Sequence, residues 1–60
     1  MDENDIIGYK TVVNGSADSL DTSVNEWLAK GWHLYGYPYV NSNTHIRMYC
    51  QALVKYKESP

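Results

Sequence analysis

The stretch His45-Ile46-Arg47-Met48-Tyr49-Cys50-Gln51-Ala52-Leu53-Val54-Lys55-Tyr56-Lys57 decides how this chain folds. Read with a period of two, Ile46, Met48, Cys50, Ala52 and Val54 form one continuous apolar side. Arg47, Tyr49, Gln51, Leu53 and Lys55 form the other. This is the longest strand of the sequence, and its apolar side is expected to lie under a helix. Just upstream, Asn41-Ser42-Asn43 reads as a hairpin turn, because asparagine tolerates left-handed backbone and can bond its own main chain. The hairpin leads back to a strand over 33–40. There His33, Tyr35, Tyr37 and Tyr39 share one side, while Leu34 and Gly36 share the other with Trp32. Pro38 has no N–H to give to a ladder, so this strand is expected at an edge or bulged at that point. The Tyr37–Pro38 bond is a candidate for a cis peptide.

Further upstream, Leu20, Val24, Trp27 and Leu28 follow the i, i+4, i+7, i+8 spacing of one buried helix face. Asp18 or Ser19 is expected to cap that helix by accepting a hydrogen bond from a free amide. Asp21 is then placed in the first turn, where the helix dipole favours a carboxylate, and Lys30 in the last. Gly31 suits the left-handed residue that ends a helix, with Trp32 folding back as its apolar partner. Asn14-Gly15-Ser16 is a turn, and the β-branched alternation over 7–13 is a first strand. The sum is a single α+β domain of β-α-β-β form. The long third strand is expected in the middle, antiparallel to both others, giving the order 1-3-2. Residues 1–5 and 58–60 are expected to fray.

Sixty residues allow one small core. Chains of this size often need a staple, and here the usual ones are scarce. The one cysteine, Cys50, excludes an intrachain disulfide. A zinc site from Cys50, His33 and His45 lacks a fourth ligand and matches no known spacing. Oligomerisation is the staple left, and no metal or cofactor is expected. The formal charge of −2 argues against a general nucleic-acid binder, which needs a basic stripe. The acidic start and the lack of a long apolar run lead us to expect a soluble cytoplasmic protein with no membrane partner. Phenylalanine is absent while tyrosine occurs six times, which places aromatic mass in side chains suited to surfaces that are half buried and half wet.

Tyr9-Lys10, Leu28-Ala29-Lys30-Gly31-Trp32, Leu34-Tyr35-Gly36-Tyr37-Pro38 and Gln51-Ala52-Leu53-Val54-Lys55 occur in an order and spacing that resembles the small domain-of-unknown-function family 1737 of bacteria and their phages. The resemblance runs over about 7–56. It implies a short, phage-associated protein, and host bacterial cytoplasm as its location. By analogy of size and source, it also suggests the oligomers that trap nucleotide signals of bacterial immunity. Trp27 departs from the pattern, since relatives more often carry a small aliphatic there.

The candidate site is the set His33, Tyr35, Tyr37, Tyr39, Arg47, Tyr49 and Gln51, expected together on the uncovered side of the sheet. Tyrosine rings stack on nucleobases, at roughly 1–3 kcal/mol per base. Arg47 offers a fork of donors to phosphate oxygens. Gln51 can read a base edge or a ribose hydroxyl. The plainer reading is a subunit interface, where tyrosine and arginine are enriched in any case. The two are compatible, because pockets form between subunits. His33 and His45 lack a nucleophile or carboxylate partner at recognisable spacing and read as exposed strand histidines. Asn41, Ser42, Asn43 and Thr44 read as a polar hairpin tip before a phosphate cradle. Asp18, Asp21 and Glu26 read as helix-capping and solvated-face charges. Cys50 reads as a buried, inert thiol. The expectation is a non-enzymatic homo-oligomer that sequesters a nucleotide-like molecule, a cyclic dinucleotide or an ADP-ribose derivative, at a subunit interface. The alternative is a protein-interaction module using the same face.

Overall fold

The computed structural model describes residues 5–42 and 45–57. The element order is β1 (Ile6–Asn14), α1 (Ala17–Ala29), β2 (His33–Ser42) and β3 (Arg47–Tyr56). The three strands form one antiparallel sheet ordered β1-β3-β2, with α1 packed on one face, as the alternation implied. The ladder continues one step past β3, where the Lys57 N–H donates to the Asp5 carbonyl at 2.8 Å. Of the ends expected to fray, 1–5 and 58–60, Asp5 is instead held by this bond, and 1–4 and 58–60 lie outside the described residues.

Local chemistry sets the helix ends, and the first comes two to three residues earlier than the sequence suggested. The cap is Ser16, not Asp18 or Ser19. Its extended backbone turns the hydroxyl to accept the Ser19 N–H at 3.1 Å. Asp18 thereby becomes the acidic residue of the first turn, and Asp21 falls beyond it. At the other end Lys30 is the C-cap rather than a member of the last turn. Gly31 has φ +99°, its N–H donates to the Leu28 carbonyl at 3.1 Å, and the Trp32 N–H donates to the Trp27 carbonyl at 3.2 Å. These are the two bonds of a Schellman stop. Its apolar contact is present too, with the Trp27 and Trp32 rings edge to face at 5.9 Å.

The hairpin also differs from expectation. Asn41 pairs with Met48 and Ser42 with Arg47, so both belong to β2 rather than to the turn. Asn43 and Thr44 lie outside the described residues. Within β2, Tyr35 pairs with Ala52 and Tyr39 with Cys50, so four residues on β2 advance against two on β3. The two extra residues make a bulge around Gly36, at φ +76°, and Pro38. The Tyr37–Pro38 bond is trans. Because the bulge adds two residues, Tyr35 and Tyr39 stay on the same face.

The largest correction concerns which side of β3 the helix covers. Leu53, with Val12 and Leu20, forms the cluster against which Val24, Trp27, Trp32 and Tyr49 pack. The covered side is therefore that of Tyr49, Gln51 and Leu53, not that of Ile46, Met48, Cys50, Ala52 and Val54. On β1 it carries Gly8, where a Cβ would stand 3.0 Å from Trp32 Cη2, and Lys10, whose Nζ lies 3.2 Å from the centre of the Trp27 ring. Two tryptophans need depth under a helix, and Gly8 supplies it. In the middle of the opposite side of β3, Cys50, Ala52 and Val54 are small enough to leave room for large neighbours to lean in.

Candidate functional site

Cross-strand pairing assigns the uncovered face residue by residue. Tyr9, Val54 and His33 form one row, Thr11, Ala52 and Tyr35 the next, and Val13, Cys50 and Tyr39 a third. Val54 has no exposed surface although no helix covers this side. The aromatic neighbours account for that. Tyr9 and Tyr35 come from strands on either side of β3, yet their rings stand 6.2 Å apart, edge to face, so both lean inward over the middle strand. The His33 and Tyr56 rings lie 5.3 Å apart. The tyrosines thus roof Ala52 and Val54, and burial of one such valine contributes about 1.5–3 kcal/mol. Cys50 is buried in the same layer, its Sγ 3.8 Å from the Met48 carbonyl.

The roof keeps an outer surface. Tyr35 and Tyr39 are each 51% exposed and Tyr9 is 62% exposed. Among the described residues, no Asp, Glu, Lys or Arg stands on this face. The Tyr39 phenol is pushed above its ordinary value of 10.0, first by loss of water against the sheet, then by Cys50 and Tyr9 nearby. The face is thus aromatic and hydroxylated, with His33 at one end and no Asp, Glu, Lys or Arg among its described residues.

The seven candidate residues divide between two sides. His33, Tyr35 and Tyr39 share the uncovered face. Tyr37 projects at the bulge and is 90% exposed. Tyr49 and Gln51 are on the helix side, and Arg47, exposed at the first position of β3, shares their side by alternation. The cause is register: a strand has only two sides, and pairing Tyr35 with Ala52 rather than Gln51 sends the whole alternate set to the other one. Gln51 has a structural task there. Its Nε2 donates to the Ala52 carbonyl at 2.9 Å and to the Tyr35 and Gly36 carbonyls at 3.4 Å each, tying down the bulge from beneath. Tyr9 and Tyr56 join the aromatic face without having been singled out from the sequence. Only the register, which sequence alternation alone does not fix, could have added them.

On the helix side, a concavity opens between α1 and β2. It has a volume of about 370 Å³ and is lined by Leu20, Val24, Leu28, Leu34 and Pro38, with Gln51 at its base and Asp21 on its rim. Leu28, expected in the core, borders this cleft and is partly exposed. Among the described residues no three His, Cys, Asp or Glu side chains converge as metal ligands, and no helix is long and apolar enough to cross a membrane. No family model, curated protein or solved structure matches this chain, so the resemblance to family 1737 rests on the residues quoted for it.

Proposed function

We propose that this protein is a non-enzymatic, homo-oligomeric binding domain whose tyrosine face takes a planar heteroaromatic ligand, such as the base of a nucleotide, near a junction between subunits. The observation that carries the reading is the set of half-exposed rings of Tyr9, Tyr35 and Tyr39 on a face with no Asp, Glu, Lys or Arg among its described residues. Such rings offer stacking surface, and their hydroxyls offer hydrogen bonds at the rim of a stacked base. The face carries no Lys or Arg, and Arg47 lies on the helix side, so the reading rests on stacking and on the phenol hydroxyls and not on an arginine–phosphate contact. Gln51 is not part of this reading, because it lies on the helix side and its amide N–H groups are spent on the Ala52 carbonyl and the Tyr35 and Gly36 carbonyls of the bulge.

Self-association is supported by the small core. Leu53 and Val54 are the only large side chains fully buried among the described residues. A domain with so little interior gains stability from assembly. The resemblance to family 1737 adds a phage source and a host immune signal as the natural ligand.

The test is native mass spectrometry of the purified protein, alone and with a pool of cyclic dinucleotides and ADP-ribose derivatives. An oligomer that gains one discrete nucleotide mass in fixed ratio is the expected result. Tyr35→Ala should weaken that binding about tenfold, in line with the loss of one stacking partner. Arg47→Ala, on the helix side of the sheet, should leave that binding unchanged. Uptake of nothing by an intact oligomer would remove the ligand and leave assembly.

A further inference from the structure

We infer that β1 is the edge through which two copies of this chain join, antiparallel about Thr11, into one continuous six-stranded sheet. The inference rests on the self-association proposed above and specifies the surface that carries it.

The sheet order β1-β3-β2 leaves two edges, and among the described residues nothing pairs on the outer side of either. An open edge presents unpaired N–H and C=O groups to any other strand. Proteins usually block it with a proline, a bulge or a charged side chain. β2 carries two of these devices. Pro38 has no N–H, and the bulge with Gly36 at φ +76° breaks the line of the strand. β1 is different. From Gly8 to Asn14 its register with β3 is unbroken, and its only irregularity lies earlier, between Ile6 and Gly8. It contains no proline and one charged residue, Lys10. That lysine does not guard the edge, because its ammonium is drawn inward over Trp27, 3.2 Å from the ring centre, and lies 5.6 Å from the centre of Trp32. One edge is therefore guarded and the other is left flat and neutral.

A second copy of β1 is the occupant that fits. Antiparallel pairing centred on Thr11 sets Thr11 against Thr11 of the other copy, Tyr9 against Val13, and Lys10 against Val12. The Tyr9–Val13 pairs put an aromatic ring beside a β-branched side chain on the same face, a favourable cross-strand pair. Centring on Lys10 instead would set the two lysines directly opposite, where like charges destabilise the pair. The Thr11 register also lays the two tyrosine faces side by side in one plane. The ligand platform is doubled and stays open, because the edge and not the face makes the assembly.

Amide hydrogen exchange on the full chain, followed by NMR at high and low protein concentration, tests this directly. In a monomer, the β1 amides turned toward β3 are protected and the alternate ones exchange freely. Pairing through β1 should protect the alternate amides as well between Gly8 and Asn14, only at concentrations where the dimer forms, with the outward amides of β2 remaining fast. Sedimentation of Thr11→Lys supplies the second arm, since two lysines would then oppose each other across the junction. Its dimer dissociation constant should rise about fivefold or more, while Thr11→Val keeps that of the parent. An oligomer whose outward β1 amides exchange freely would overturn the edge assignment and leave self-association standing. A protein monomeric at all concentrations would overturn both.

Discussion

Replacing Gln51 with methionine separates the structural role of this residue from the ligand-reading role its position in the sequence suggested. The two side chains have similar length and volume, so the substitution removes the amide and leaves the space filled. Gln51 is 4% exposed, and its two Nε2 hydrogens are shared among three carbonyls. The 2.9 Å bond to Ala52 is of ordinary length and contributes about 1 kcal/mol net. The two at 3.4 Å are near the limit of the interaction and contribute about 0.5 kcal/mol each. Methionine returns part of that total by burying apolar surface, so the net loss should be about 1–2 kcal/mol. For a domain this small that corresponds to a fall in Tm of roughly 5–15 °C, read by circular dichroism. The damage should be local as well. Tyr35 and Tyr39 flank the bulge that Gln51 holds, so their ring resonances should shift while those of Trp27 and Trp32 stay in place. An unchanged Tm with unchanged tyrosine resonances would refute the argument that Gln51 braces β2.

Three further substitutions probe separate parts of the fold. Ser16→Ala removes the hydroxyl that accepts the Ser19 N–H and should cost about 1 kcal/mol in urea unfolding, whereas Ser19→Ala should cost much less. Lys10→Gln removes the ammonium above Trp27. It should lower stability by about 0.5–2 kcal/mol and alter tryptophan emission. Tyr39→Phe addresses pH. Because the folded state raises the Tyr39 pKa, its share of stability is complete below about pH 10, the ordinary value of a free phenol, and declines as pH rises through the folded value. The variant should therefore lose less stability than the parent in strong alkali, and an ultraviolet phenolate titration should lose its late component.

Much of the fold was legible in the sequence because it depends on local chemistry. Gly31 followed by Trp32 announced a helix stop, and the hydrogen bonds found there are those the pair implies. Pro38 announced an edge or a bulge, and β2 has both. The cap was misplaced by two or three residues because Ser16, Asp18 and Ser19 are all competent acceptors, and only the path of the preceding turn selects among them. The candidate site was legible in part. His33, Tyr35 and Tyr39 share a face because alternation within one strand, interrupted by a bulge of two residues, keeps them there. Arg47, Tyr49 and Gln51 alternate among themselves just as reliably, but nothing in either strand says how the two sets align.

The amino-acid sequence by itself determined the elements, their order and the C-terminal stop of the helix, since each follows from contacts within a few residues. Tertiary structure decided the two faces. Both sides of β3 carry enough apolar surface to serve as a core, Leu53 on one and Val54 on the other, and each is fully buried. The choice fell to the fit of Trp27 and Trp32 over Gly8 and Leu53. That fit covered Gln51 with the helix side and left Tyr9, Tyr35 and Tyr39 to roof the opposite side. A period of two fixes which side chains travel together, and only packing across strands fixes where they go.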